Sequence, residues 1–276
     1  MCCWGNNNAG QLGNGSTISS LVPVQVTGLD QPASRIYAGS DESCAIVKDG
    51  SLWCWGGVAD HTTPVLAANL PDTEELALGM QLSCVRKRDG TLACWGLNDH
   101  GQLGDGTLHP SDQPVTVASV TGAKQVSVGE ATACAIDATS NLRCWGSNDW
   151  GQLGTGSLPV QTEPRKVASL ITPAAQLAAS FASYCARLTD GTVSCWGNSY
   201  YGQLGSGAAN LGKDTTTPVR AAAPGTVFVE VCAGPDSTCA RSDDGTVWCW
   251  GSRNNGLQAD GQLGFSPNAV RLAGCP

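Results

Sequence analysis

Residues 134–156 read CAIDATSNLRCWGSNDWGQLGTG: two cysteines ten apart with a turn between them, a Cys-Trp-Gly, and a Gly-Gln-Leu-Gly loop. With small edits the string recurs down the whole chain. Its Cys-Trp-Gly stands at Cys3-Trp4-Gly5, Cys54-Trp55-Gly56, Cys94-Trp95-Gly96, Cys144-Trp145-Gly146, Cys195-Trp196-Gly197 and Cys249-Trp250-Gly251. Trp-to-Trp periods are 51, 40, 50, 51 and 54 residues. A period near fifty with several turn signals per unit marks a propeller or solenoid array. No linker or composition break interrupts it, so 1–276 reads as one domain with units at about 5–55, 56–95, 96–145, 146–196, 197–250, and 251–276 plus 1–4.

The cysteines repeat in the same phase. Ten of the 14 fall into five pairs of one spacing, Cys44/Cys54, Cys84/Cys94, Cys134/Cys144, Cys185/Cys195 and Cys239/Cys249. An Asp-Gly lies inside four pairs, Asp49-Gly50, Asp89-Gly90, Asp190-Gly191 and Asp244-Gly245, and Ser140-Asn141 stands in the fifth. Asp-Gly between apolar or β-branched residues is a strong hairpin signal, and Asn at the glycine position also accepts positive φ. With Gly50 in the left-handed position of a three-residue loop, Val47 faces Ser51, Ile46 faces Leu52, Ala45 faces Trp53 and Cys44 faces Cys54. Alternation then makes the cysteines a non-hydrogen-bonded pair, close enough for a disulfide. Each bridge would contribute at most about 2.5–3 kcal/mol through loop closure. Cystines at this density imply an oxidising compartment. Metal binding is the rival, but zinc sites need close Cys-x2-4-Cys knuckles with further ligands, so no metal is expected. Cys2, Cys3, Cys232 and Cys275 have no assigned partner.

The gross balance narrows function. A net charge of −8 argues against a nucleic-acid surface, Arg86-Lys87-Arg88 being a solvated turn. No apolar run is long enough to span a membrane, and Met1-Cys2-Cys3-Trp4 is no signal peptide. Because the chain begins inside a repeat, an upstream segment with an export signal is expected, which places the protein in an extracellular, periplasmic or cell-surface setting. Charged residues are only 14%, and the 35 glycines suit short strands joined by tight turns.

Each unit runs from Trp-Gly through a polar loop, an extended stretch with a Pro, an apolar stretch ending in Gly, and the cystine hairpin. Four antiparallel strands per unit make a propeller blade, with Pro confined to the first. The second unit lacks the Gly-Gln-Leu-Gly loop, and the fifth and sixth carry insertions at 208–214 and 257–260. After Trp250 the chain supplies the loop and 267–274, read as the opening strands of a sixth blade whose last strand is Cys2-Cys3-Trp4. The fold is therefore an all-β propeller of six blades with the sixth composite from both termini; the alternative is an incomplete part of a seven-bladed ring.

Trp95-Gly96-Leu97-Asn98-Asp99-His100-Gly101-Gln102-Leu103-Gly104-Asp105-Gly106, followed by Pro, Val, Gly and Asp-Gly in phase, resembles the regulator of chromosome condensation repeat. The resemblance covers essentially the whole chain. It implies a β-propeller, most often seven-bladed, that acts by presenting one face to another protein, as a chromatin-docked exchange factor, a plant ultraviolet-B photoreceptor and a secreted β-lactamase inhibitor do. The His that such repeats often carry after the Gly is replaced here by Glu42, Leu82, Thr132, Ser183 and Ser237.

In the Gly-Gln-Leu-Gly loop, Leu12 and its equivalents are expected to pack inward and Gln11 to satisfy backbone groups of the neighbouring blade. The residue before the loop varies, as Ala9, His100, Trp150, Tyr201 and Asn255. His100, Trp150, Tyr200 and Tyr201 therefore fall in equivalent loops on one face, as candidate binding residues for a protein or glycan partner. Asn98-Asp99 with Asp105, and Asn148-Asp149, lack the run of oxygen ligands a calcium loop needs and read as turns. No nucleophile motif, phosphate loop or carboxylate pair stands out, so neither catalysis nor a cofactor is implied. The alternative is a hydrolase or lyase in the central channel, which convergence of titratable groups at the axis would favour.

Overall fold

A computed structural model describes residues 1–39, 41–57, 61–68, 70, 72–80, 82–253 and 264–272. It is built of antiparallel sheets, each a simple meander. The first holds β1 (Cys2–Gly5) and β2 (Ser20–Gln25); the second β3 (Ala33–Ala38), β4 (Glu42–Val47), β5 (Leu52–Gly56) and β6 (His61–Ala68). The third holds β7 (Thr73–Leu78), β8 (Leu82–Lys87), β9 (Leu92–Gly96) and β10 (Ser111–Thr116). The fourth holds β11 (Gln125–Val128), β12 (Thr132–Ile136), β13 (Leu142–Gly146) and β14 (Gln161–Lys166). The fifth holds β15 (Ala174–Ala179), β16 (Ser183–Leu188), β17 (Val193–Gly197) and β18 (Thr215–Arg220). The last holds β19 (Phe228–Ala233), β20 (Ser237–Ser242), β21 (Val247–Ser252) and β22 (Phe265–Arg271). Strands β3, β7, β11, β15 and β19 touch in turn, so they are the inner strands of successive blades.

Sequence unit and sheet are out of phase by one strand. The Pro-bearing strand, placed first in the unit above, pairs instead with the preceding Trp strand: β2 with β1, β6 with β5, β10 with β9, and so on to β22 with β21. Antiparallel neighbours joined by one loop pair with each other, and the outer edge is where a strand lacking one N–H is tolerated. Phe265–Arg271 accordingly completes the last four-stranded sheet rather than opening the sixth blade. The remainder of that C-terminal contribution, with Cys275, lies outside the described residues, as do Asn255, the insertion at 257–260 and the loop glycine and glutamine at 261–262. Among the described residues no strand pairing joins the first sheet to the last.

The hairpins adopt the expected register. Cys44 lies opposite Cys54, Ala45 opposite Trp53 and Ile46 opposite Leu52, with the Val47 N–H donating to the Ser51 carbonyl at 3.0 Å. All five cystines form, each with a Cα–Cα distance of 4.1 Å. The hairpin between Cys134 and Cys144 departs in detail: Ser140, at φ 64°, takes the left-handed position rather than Asn141. Asp137 makes this tolerable, because its Oδ1 accepts the N–H groups of Thr139 (2.9 Å) and Asn141 (3.0 Å).

The core lies between blades. Trp145 packs with Leu92 and Leu103 of the preceding sheet and with Val126 and Ala133 of its own, and the next interface repeats the pattern with Trp196, Leu142 and Leu153. Tyr184 adds a buried polar tie: its hydroxyl donates to the Thr132 carbonyl at 2.6 Å and accepts the Gly129 N–H at 2.9 Å.

Candidate functional site

The loop 97–110 shows how the repeat builds a display position. Asn98 is fully buried; its Oδ1 accepts the Leu103 N–H at 2.9 Å and its amide donates to the His109 carbonyl at 3.0 Å. Leu103 is thereby driven into the interface with no exposed surface. The carbonyl of Gln102 accepts the indole N–H of Trp145 at 2.9 Å across the blade junction. Equivalent bonds join Trp55 to Gln11 (2.9 Å), Trp196 to Gln152 (2.8 Å) and Trp250 to Gln203 (2.8 Å). The link between blades is thus the glutamine main chain, not the side chain expected from sequence.

The glutamine side chain turns back on its own loop. Its Oε1 accepts the N–H of the variable residue before the first glycine: Ala9 on Gln11 (3.0 Å), His100 on Gln102, Trp150 on Gln152 and Tyr201 on Gln203 (2.9 Å each). The backbone at that position is held while its side chain is left to vary. Trp150 is 48% exposed and Tyr200 68% exposed, whereas His100 and Tyr201 are half-buried. Tyr200 and Tyr201 meet edge to face with centroids 4.8 Å apart. Trp150 and His100 occupy the corresponding loops of the two preceding sheets; His100, Trp150 and Tyr201 share the position before the first glycine, and Tyr200 precedes it, its N–H donating to Asn198 Oδ1 at 3.1 Å. The role of Gln in fixing these backbones was not read from sequence, although its constancy beside a varying neighbour is the signal that could have exposed it.

Turn chemistry occupies the acidic loop residues. Asp105 Oδ1 accepts the Thr107 N–H at 2.9 Å, and Asn98 offers its amide nitrogen to the loop interior. Glu42 lies near Cys44 and Cys54 in the one metal-like grouping among the described residues, but those two sulfurs are bonded to each other and offer no thiolate.

Titratable groups do converge at one end of the inner strands, around a cavity of about 510 Å³ lined by Arg35, Glu75, Arg86, Lys124 and Gln125 among others. They are already engaged: Lys124 donates to the Ser140 hydroxyl and Arg35 to the Glu74 carbonyl. Arg86 bridges Glu74 (3.0 Å) and Glu75 (3.1 Å), and Glu75 also accepts the Val126 N–H of the next blade at 3.3 Å. Burial pushes the Glu75 carboxyl up despite Arg86, while the Arg86 hydrogen bond holds the more open Glu74 below its usual value. Gln125 and Gln176 continue the belt, each bonding the backbone of the following inner strand, at Leu177 and Val231. This is the pattern of a structural girdle.

Comparison with known proteins agrees with this architecture. The model of the regulator of chromosome condensation (RCC1) repeat matches residues 1–46, 89–136, 143–180 and 190–241, and a second model of the same repeat matches 123–152, 174–203 and 228–257. The ultraviolet-B receptor UVR8 of Arabidopsis thaliana is 29% identical over 118 residues, 38% of this chain and 27% of the receptor. The E3 ubiquitin-protein ligase HERC2 of Homo sapiens is 30% identical over 121 residues, 38% of this chain and only 2% of the ligase. The matched stretch thus spans 27% or less of these relatives' lengths. Among solved structures, yeast RCC1 (Prp20), in a crystal structure with Kap60, superposes with a TM-score of 0.84 at 20% identity, covering 98% of this chain and 70% of that one. Human WBSCR16 superposes with a TM-score of 0.83 at 20% identity, covering 96% and 74%.

Proposed function

Because the chain belongs to the RCC1 repeat family, we propose that it is a non-catalytic, exported or cell-surface propeller that binds a partner protein through the loop face carrying His100, Trp150, Tyr200 and Tyr201. The observation that carries this reading is the division of labour inside the loops: Gln Oε1 holds the backbone of Trp150 while its side chain extends into solvent, and in the next loop Gln203 holds Tyr201 and Asn198 holds the exposed Tyr200. Aromatic side chains on a preorganised backbone bury much area at little entropic cost, the usual make-up of binding hot spots. Export is supported by five cystines, which a reducing cytosol would not maintain. Relatives offer a precedent for protein binding: one yeast structure is described with binding to Gsp1p and histones. With a net charge of −8 and a cystine framework, this chain is directed to a different, non-nucleic-acid partner.

The test is affinity capture from the source's secreted or envelope fraction with the oxidised protein and with the triple variant Trp150→Ala/Tyr200→Ala/Tyr201→Ala. Loss of the captured protein by roughly thirtyfold or more, with an unchanged melting temperature, is expected for hot-spot removal. Capture unchanged by the triple variant would sink this assignment. Capture of a glycan in place of a protein would assign the same face to sugar stacking.

A further inference from the structure

Among the described residues, the junction at Trp95 lacks the seal found at Trp55, Trp145, Trp196 and Trp250. The connection between β5 and β6 occupies only 57–60, where β9 and β10 are joined by 97–110, and it contains no Gly-Gln-Leu-Gly. The tryptophan it would cover is Trp95, which is half-buried, whereas Trp55 is 1% exposed and Trp145, Trp196 and Trp250 have no exposed surface.

The sealed junctions define what is missing. Ser43 lies directly opposite Trp55, and the Ser43 hydroxyl and Trp55 indole both donate to the Gln11 carbonyl, at 2.9 Å each. Thr238 lies opposite Trp250, and both donate to the Gln203 carbonyl, at 3.1 and 2.8 Å. At the open junction the same opposed pair is Ser83 and Trp95. Ser83 is 7% exposed, both side chains line one cavity of about 860 Å³, and neither has a side-chain hydrogen-bond partner among the described residues. The Ser83 hydroxyl and Trp95 indole N–H thus open onto the cavity, free to donate to a carbonyl placed where the glutamine carbonyl stands at the sealed junctions.

The rest of the cavity describes the supplier. Its wall includes Val65, Leu66, Met80 and Leu82, with Leu66 and Met80 more than half exposed. Asp41, Glu42 and Asp112 also line it, with His61, and among the described residues no lysine or arginine does. Burial alone, with no cation to offset it, raises the Glu42 carboxyl. We propose that this cavity receives a turn-forming loop of a partner protein, which supplies a main-chain carbonyl to Ser83 and Trp95, a leucine-sized side chain to the apolar wall, and a lysine or arginine to the carboxylates. The loop replaces in trans the one that the other blades supply in cis. A second copy of this chain is the poorer occupant: Leu12, Leu103, Leu153 and Leu204 are already buried in their own junctions, and two chains of net charge −8 repel. The proposal does not depend on the aromatic loop face and is tested separately from it.

The probe is the capped hexapeptide Lys-Gly-Gln-Leu-Gly-Lys, titrated into intact oxidised protein with 15N-labelled tryptophan. The indole resonance absent from Trp95→Phe is expected to shift and saturate while those of Trp145 and Trp196 stay fixed. Affinity should fall roughly fivefold in Ser83→Ala, the size of one hydrogen bond. It should also fall with added salt, and in Glu42→Gln/Asp112→Asn. Placing the sequence of 97–110 between β5 and β6 should abolish binding by filling the slot in cis. An unmoved Trp95 resonance at millimolar peptide overturns the proposal, as does an equal shift from Lys-Gly-Gln-Ser-Gly-Lys. A Trp95 shift that follows protein concentration without peptide overturns it in favour of self-association.

Discussion

At the scale of single residues, the blade junction turns on a glycine facing a tryptophan. Gly104 sits at φ +70°, and a Cβ there would lie 2.6 Å from Trp145 Nε1 and 2.8 Å from its Cδ1. Both the left-handed backbone and the space forbid a side chain, and the indole cannot retreat without leaving the Gln102 carbonyl. Gly104→Ala is therefore expected to destabilise by roughly 2–5 kcal/mol, the left-handed strain plus overpacking. Gly245, at φ +84° with nothing within 4 Å of its would-be Cβ, bears the strain alone, and Gly245→Ala should cost only about 1–2 kcal/mol. Denaturant midpoints of the two variants decide it: equal losses would mean that contact with the tryptophan ring adds nothing.

At the scale of the element, the cystine hairpin is locked twice, by its disulfide and by a turn aspartate. Asp49 accepts the Ser51 N–H (2.9 Å), Asp89 the Thr91 N–H (2.8 Å), Asp190 the Thr192 N–H (2.9 Å) and Asp244 the Thr246 N–H (2.9 Å). These bonds favour the ionised form, so all four carboxyls lie below the ordinary aspartate value of 3.8, Asp244 at about 2 because Ser242 and Thr246 both donate to it. A carboxyl depressed in the folded state adds stability that is present above the unfolded value and is lost as pH falls through the folded one. The melting temperature of the oxidised protein should accordingly drop between pH 4 and pH 2. The variant Asp49→Asn/Asp89→Asn/Asp190→Asn/Asp244→Asn should melt lower at pH 7 and show a flatter profile across that window. Parallel profiles for the two proteins would assign the acid loss to other groups.

At the scale of the whole molecule, stability is a chain of junctions, each sealed by a loop from the preceding blade, and the junction at Trp95 is the weak one. Replacing the short connection at 57–60 with the sequence of 97–110 buries a leucine and completes the Ser83/Trp95 acceptor. Burial of one leucine contributes about 1.5–3 kcal/mol, and the longer loop subtracts less than about 1 kcal/mol. A net gain of about 1–2 kcal/mol is expected, read as a higher denaturant midpoint, with slower hydrogen exchange in β8 and β9. A midpoint unchanged by the graft would mean that the loop contributes no seal of its own.

Much of this was legible in the sequence because it is local. Cys44 through Cys54 closes on itself, so hairpin register and pairing follow from a ten-residue spacing and one Asp-Gly, and the in-phase tryptophans announce repeated blades. Where two local choices were nearly equal the sequence misled, as at Ser140 and Asn141, since the decision rests on the Asp137 carboxylate accepting the Thr139 and Asn141 N–H groups. Phase was likewise hidden: a Pro-bearing strand lies between two possible neighbours, and only its pairing with the Trp strand shows which sheet it completes. The candidate surface was visible as an alternation of constant and varying residues, while the bond from Gln Oε1 that fixes each varying backbone was not. The open slot belongs to tertiary structure alone. A missing loop reads as a shortened period of 40 residues, but the donors it strands, Ser83 and Trp95, lie on the next blade, brought opposite the gap by packing between sheets rather than by proximity along the chain.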